Sequence, residues 1–144
     1  MQLGRAKYAP GSIASFFTIV LGYFLLTYFS LIHFIIFILL SIPISFACIR
    51  NYLKINNKND PKEIVIDEFV GQLVSLMAIP LFNIEMNFIS LFIAFVSFRF
   101  FDISKIGIKK IEKMPGAWGV LLDDIIAGIY SCIVQFIFWK LLIL

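Results

Sequence analysis

The stretch SIASFFTIVLGYFLLTYFSLIHFIIFILLSIPISFACI, Ser12 to Ile49, contains no lysine, arginine, aspartate or glutamate. A bilayer core about 30 Å thick is crossed by about 20 apolar residues at 1.5 Å rise each. The run is therefore long enough for two helices rather than one. Ser30 and His33 interrupt it, which places the reversal near Phe29 to His33. A secretory signal peptide is the competing reading, since Arg5 and Lys7 precede the apolar residues, but no polar mature segment follows.

Working outward, the same character fills the chain. Of 144 residues 61% are hydrophobic, and the mean hydropathy is +0.99, far from the mixed balance of a soluble domain. No stretch of ordinary composition is long enough to form a separate soluble catalytic domain. A net charge of +3 is too weak to argue for nucleic acid. Cys48 and Cys132 sit in separate apolar runs and read as buried small hydrophobes; no zinc spacing exists. Asn51 to Glu63 (NYLKINNKNDPKE) reads as a loop. Two shorter apolar runs follow, Phe69 to Phe82 and Met86 to Phe98, with a turn around Asn83 to Asn87. A last run extends from Ala117 to Leu144. The expectation is one all-α domain over residues 1–144, a polytopic bundle of five transmembrane helices.

Basic residues set the orientation, because cytoplasmic loops carry the excess of lysine and arginine. Arg5 and Lys7 precede the first helix. Arg50, Lys54, Lys58 and Lys62 lie between the second and third, and Arg99, Lys105, Lys109, Lys110 and Lys113 between the fourth and fifth. Five alternating helices bring all of these to one side and leave Lys140 opposite, which puts the N-terminus in the cytoplasm.

Five acids lie at helix ends on that side. Asp67 and Glu68 open the third helix, Asp102 closes the fourth, and Asp123 and Asp124 lie near the start of the fifth. Phe69 to Phe82 is short for a crossing, so the helix must also use Ile64 to Glu68, which draws both carboxylates to the membrane boundary. Charges in hydrocarbon are costly, and grouped carboxylates repel. A divalent cation compensates for both, and oxygen ligands suit magnesium, manganese or calcium rather than zinc or copper. Arg99, Asp102 and Lys105, spaced by three, project from one side of a helix. Gly71 stands one turn beyond Asp67, and Gly128 one turn beyond Asp124, where small residues let helices approach closely. The plainer alternatives are that the acidic pairs complement helix N-termini, that Arg99 and Asp102 form a structural ion pair, and that the Lys105 to Lys113 cluster contacts anionic lipid.

Other chemistries lack their residues. Cys48 is too close to Arg50 for a cysteine-phosphatase loop, and Cys132 has no basic neighbour. His33, the only histidine, falls on the opposite side of the membrane, which removes histidine phosphatase chemistry and a Ser–His–Asp triad. No Walker loop or GxGxxG is present.

Four stretches together, YAPGSIAS (Tyr8 to Ser15), IVIDEFVGQLVSLMAIP (Ile64 to Pro80), FRFFDISK (Phe98 to Lys105) and GVLLDDIIAG (Gly119 to Gly128), resemble the phosphatidylglycerophosphatase A family of bacterial membrane lipid phosphatases. The resemblance implies a magnesium-dependent enzyme of the inner membrane. Its reaction would release the terminal phosphate of phosphatidylglycerophosphate at the cytoplasmic face. Carried over by position, Asp67, Glu68, Asp102, Asp123 and Asp124 would be the catalytic and metal-holding carboxylates. Arg99 and Lys105 would hold the substrate phosphate. The family usually has threonine where Ser12 stands. Its lysine is typically followed by proline, whereas Ile106 follows Lys105 here and a rigid helix exit is lost. Its glycine pair before the last helix appears as Gly116-Ala117. A small cation transporter built on the same acids is the rival from another class. It calls for acids near mid-membrane with access from both sides.

Overall fold

The computed structural model describes residues 10–56, 64–108, 111 and 114–143. The basic residues Arg5, Lys7, Lys58, Lys62, Lys109, Lys110 and Lys113 lie outside the described residues. The architecture is an all-α bundle, with α1 (Pro10–Tyr28), α2 (Leu31–Asn56), α3 (Ile66–Leu76), the short α4 (Ala78–Leu81), α5 (Phe88–Ser104) and α6 (Ala117–Ile143). Because α4 only continues α3, the described residues form five helices running alternately up and down. Three of them, α1, α2 and α6, are long and apolar enough to cross a membrane by length and composition.

Local chemistry accounts for the breaks. The α1–α2 reversal falls at the expected place, where the Ser30 hydroxyl meets His33 Nδ1 at 2.7 Å. The third apolar run, expected as one helix, is instead divided at Met77. Pro80 has no N–H to offer the Leu76 carbonyl, so the regular ladder stops there. Met77 turns inward on tighter bonds to the carbonyls of Val74 and Ser75. A turn with Asn83 at φ 50° leads to Asn87, which caps α5. Its side chain accepts from the Ser90 N–H while the Ser90 hydroxyl accepts from the Asn87 N–H, a reciprocal cap. Residues 51–56, expected in a loop, continue α2, so Arg50 and Lys54 stand on its last turns. Asn51 and Lys54 are exposed there, where polar side chains cost nothing. The rest of that expected loop, residues 57–63, lies outside the described residues.

The central element is α3, packed against α1, α2, α5 and α6. Leu73 and Leu76 of α3 are fully buried with Ile19, Phe34, Ile38, Ile79 and Ala94 around them. Nearer the charged end, Val70 packs with Ile49, Ala117 and Leu121. Outward faces carry large apolar side chains such as Phe16, Phe24, Ile44 and Phe92, as expected of surfaces solvated by lipid rather than water. The phenylalanines therefore serve both purposes, since Phe34 and Phe98 are core residues. The cysteines depart from expectation. Cys48 is exposed on the outer face of α2, and half-buried Cys132 donates its thiol to the Val74 carbonyl at 3.0 Å.

Candidate active site

The N-termini of α1, α3 and α6 and the C-termini of α2 and α5 share one end of the bundle, and all seven predicted polar residues lie there. Asp67 and Glu68 occupy the first turn of α3, where the positive end of the helix favours them. Asp123 and Asp124 lie deeper in α6 than expected, well beyond its first turn. A helix-end dipole fades within that turn, so it does not explain this pair. Asp124 is the most buried of the set at 2% exposure.

An alternating chain of charge joins three helices. Arg99 Nη1 reaches Glu68 Oε1 at 3.1 Å on α3 and Asp102 Oδ2 at 2.6 Å on its own helix. Lys105 Nζ meets Asp102 Oδ1 at 3.1 Å, Asp123 Oδ2 at 2.6 Å and Asp124 Oδ1 at 3.6 Å. The three-residue spacing of Arg99, Asp102 and Lys105 thus puts both cations on one stripe, with carboxylates from the flanking helices on either side. Among the described residues Asp67 forms no ion pair, but it lies close enough to Asp123 and Asp124 for the like charges to oppose one another. Burial works against the charge of Lys105, yet the carboxylates of Asp124, Asp123 and Asp102 outweigh it and raise its pKa above the ordinary lysine value. Lys105 is a fixed cation.

Two backbone features place these side chains. Lys105 itself ends α5 in the left-handed conformation, φ 51° and ψ 29°, with its N–H on the Phe101 carbonyl. Gly107 follows at φ 77°. Together these turns supply the helix exit for which the family uses proline, and they fold Lys105 back over Asp123. Gly11, at the start of α1, leaves the space that the Glu68 carboxylate fills, since a Cβ there would overlap it. The Pro10-Gly11 pair therefore brings the α1 N-terminus onto Glu68.

Below the charges lies a polar core absent from the sequence reading. The Ser131 hydroxyl meets those of Ser75 and Ser97, each at 2.6 Å. The Gln135 amide donates to the Ser75 carbonyl at 3.0 Å, and Gln72 donates to the Ala94 carbonyl at 3.3 Å. The signal was present in the chain. Asp67, Gly71 and Ser75 recur every four residues, as do Asp124 and Gly128 with Ser131 close behind, so small and polar positions continue each acid's stripe along its helix.

Five carboxylates against two cations leave an excess of negative charge. Asp67 Oδ1 and Glu68 Oε2 are buried without a hydrogen-bond partner among the described residues. Among the described residues no three carboxylates are already gathered as a cation cage, because Arg99 and Lys105 stand between them. The donor set fits an oxygen-seeking cation nonetheless, as hard oxygens left without a proton to accept are what magnesium takes.

Fold and site together define an integral membrane protein with a carboxylate and cation site at one end of its helical bundle. The chain belongs to the phosphatidylglycerophosphatase A family, whose model matches residues 1–139. A phosphatidylglycerophosphatase A of Haemophilus influenzae is 34% identical over 137 residues, covering 92% of this chain and 82% of its own. One of Escherichia coli is 31% identical over 130 residues, 89% of this chain and 73% of its own. A Bacteroides thetaiotaomicron protein, provisionally named a phosphatidylinositol-3-phosphatase, is 34% identical over 135 residues, 90% and 83% of the two chains. No solved structure matches this chain.

Proposed function

We propose that the protein is a magnesium-dependent lipid phosphatase of the bacterial inner membrane. It hydrolyses phosphatidylglycerophosphate to phosphatidylglycerol and inorganic phosphate at the cytoplasmic face. The observation that carries this reading is the charge chain from Glu68 through Arg99, Asp102 and Lys105 to Asp123 and Asp124, in a chain of that family. The orientation is supported by Arg50 and Lys54 at the same end of the bundle, the end that cytoplasmic basic residues mark. With the acids at one end of the helices, the transport reading has no support.

The residues divide the work by chemistry. Arg99 presents a planar fork suited to two oxygens of a phosphate monoester, and Lys105 adds a point charge. Asp67 and Glu68 would hold the metal through their unpartnered oxygens, with Asp102, Asp123 and Asp124 completing the acidic surround. When bound, magnesium would supply positive charge near the phosphate oxygens and ease the loss of a proton from water. A carboxylate oxygen of this surround that the metal leaves free would accept the proton that the attacking water gives up. The water oxygen bonds to phosphorus as the phosphorus–oxygen bond to the lipid glycerol breaks, and the leaving oxygen takes the proton that this carboxylate had accepted.

The test is purified protein in detergent micelles with a panel of lipid phosphates, with and without magnesium. Phosphatidylglycerophosphate is expected to be the preferred substrate. Phosphatidylinositol 3-phosphate belongs in the panel because of the name borne by the Bacteroides relative. No phosphate release from phosphatidylglycerophosphate in magnesium, by a folded protein, overturns the proposal.

A further inference from the structure

α3 and α6 meet on two glycines, Gly71 and Gly128, whose missing side chains let one backbone rest on the other. α5 contains no glycine. It packs Phe98 and Phe101 against Ile126, Ala127 and Tyr130 of α6, and such apolar contacts are non-directional and tolerate sliding. Among the described residues, side-chain hydrogen bonds join α5 and its cap to α6 at two levels. One is Lys105 Nζ to Asp123 Oδ2 at 2.6 Å. The other is Ser97 Oγ to Ser131 Oγ, also at 2.6 Å. Ser97 lies eight residues before Lys105, and Ser131 lies eight residues after Asp123. Because the helices are antiparallel, the two contacts are rungs of one ladder, about 12 Å apart along either side.

The serine rung is fixed in its own right. The Ser97 hydroxyl donates to the Ile93 carbonyl at 2.6 Å, so the proton between the two serines belongs to Ser131. Gln135, one turn further on, donates its amide to Ser131 Oγ at 3.2 Å. Both serines are buried, where a hydroxyl parted from its partner finds no water and the loss is costly. A slip of α5 by one residue, about 1.5 Å along its axis, would part them and draw Lys105 off Asp123.

We propose that Ser97 and Ser131 are positioning residues that pin the height of α5 on α6 and so hold Lys105 where it meets the substrate phosphate. This rests on the lipid-phosphatase reading and adds to it two residues remote from the reacting atoms. Ser75 contacts Ser131 at the same 2.6 Å, but from α3, whose register on α6 the glycines already set. It is not part of the pin.

The experiment measures kcat and KM for phosphatidylglycerophosphate in detergent micelles for Ser97→Ala, Ser131→Ala, the double variant and Ser75→Ala. Each single change at the pin is expected to raise KM about fivefold, the scale of one hydrogen bond, with kcat little altered. The double variant should be no worse than either single one, since both remove the same contact. Ser75→Ala should keep the parent KM. A serine that only supports the fold would lower the folded fraction, and hence kcat, at unchanged KM. That result, KM effects that multiply in the double variant, or an equal KM rise in Ser75→Ala overturns the pin. A cycle of unfolding midpoints with Ser131→Ala and Lys105→Met needs no substrate. Sites about 12 Å apart add independently unless register couples them, so the double variant should lose less than the sum of the single losses, and additive losses overturn the pin. If the unaltered protein releases no phosphate, the phosphatase reading is what fails, and the unfolding cycle alone decides the register.

Discussion

Gly71 and Gly128 lie back to back where α3 crosses α6. A Cβ on Gly71 would stand 2.5 Å from the carbonyl oxygen of Asp124, and one on Gly128 would run into the carbonyl oxygen of Gly71. The two helices therefore touch backbone to backbone one turn below Asp67 and Asp124. This contact sets the separation of the carboxylates above it, and it leaves no room for a side chain at either position.

Gly128→Val should accordingly force the helices apart. The obstacle is backbone, which yields less readily than a side chain, so the expected cost is at least the ~1–3 kcal/mol typical of overpacking. Thermal unfolding in detergent should show a lower midpoint, with activity lost because Asp67 and Asp124 no longer face each other. Unchanged unfolding and unchanged activity would contradict the close contact.

Asp67→Asn separates function from stability. The carboxylate is buried with one oxygen unpartnered and lies near other acids, so removing its charge relieves the fold. Phosphate release should fall on the order of 10²-fold or more, since even a residue that only orients a metal ligand is worth about 10–100-fold. The melting temperature should stay level or rise. A variant that is inactive only because it unfolds would argue for a purely structural aspartate.

Arg99→Lys keeps the positive charge but loses the planar guanidinium, whose Nη1 engages Glu68 and Asp102 together and whose other nitrogens are left for a phosphate. An ammonium on a shorter reach cannot hold both partners and a phosphate in the same geometry. We expect KM for the lipid phosphate to rise about tenfold or more, with the protein still folded. Arg99→Ala should also unfold more easily, by about 3–5 kcal/mol, because it leaves Glu68 and Asp102 without this buried partner. Steady-state kinetics and detergent melting curves check the two parts.

Gly107→Ala tests the helix exit. With φ at 77°, a Cβ there costs roughly 1–2 kcal/mol of backbone strain, and it would crowd the Tyr130 hydroxyl, which lies 3.2 Å from its position. Lower stability and a weakened hold of Lys105 on Asp123 are expected, the latter read as a raised KM. An alanine variant as stable as the parent would show that the left-handed turn is dispensable.

Magnesium should stabilise the folded protein as well as activate it. A ligand that binds only the native state at 100 times its Kd adds about 2.7 kcal/mol, which appears as an upward shift of the unfolding midpoint. The shift should vanish in chelator and be much reduced in Asp67→Asn. A midpoint indifferent to magnesium in the unaltered protein would remove the metal from Asp67.

The membrane class, the reversal at Ser30 and His33, and the short third and fourth crossings were legible because hydropathy and rise per residue are local properties. Asp67, Glu68 and Asp102 at helix ends were legible for the same reason, whereas Asp123 and Asp124 stand deeper in α6 than expected; turn spacing was enough to pair Gly71 with Asp67 and Gly128 with Asp124. The break at Met77 was signalled by Pro80, whose missing N–H acts four residues back. Continuation of α2 through residues 51–56 was not legible, because polar side chains at an exposed helix end look like those of a loop.

Sequence alone thus determined which residues bring charge among the apolar helices and that they gather towards one end of the bundle. It could not determine who meets whom. That Glu68 shares Arg99 with Asp102, that Lys105 turns back onto Asp123, and that Gln135 bonds to Ser75 all depend on how each helix is rotated and shifted against its neighbours. Rotation and register are settled by packing across the whole bundle, above all by the glycine contact between α3 and α6, and packing exists only in the tertiary structure.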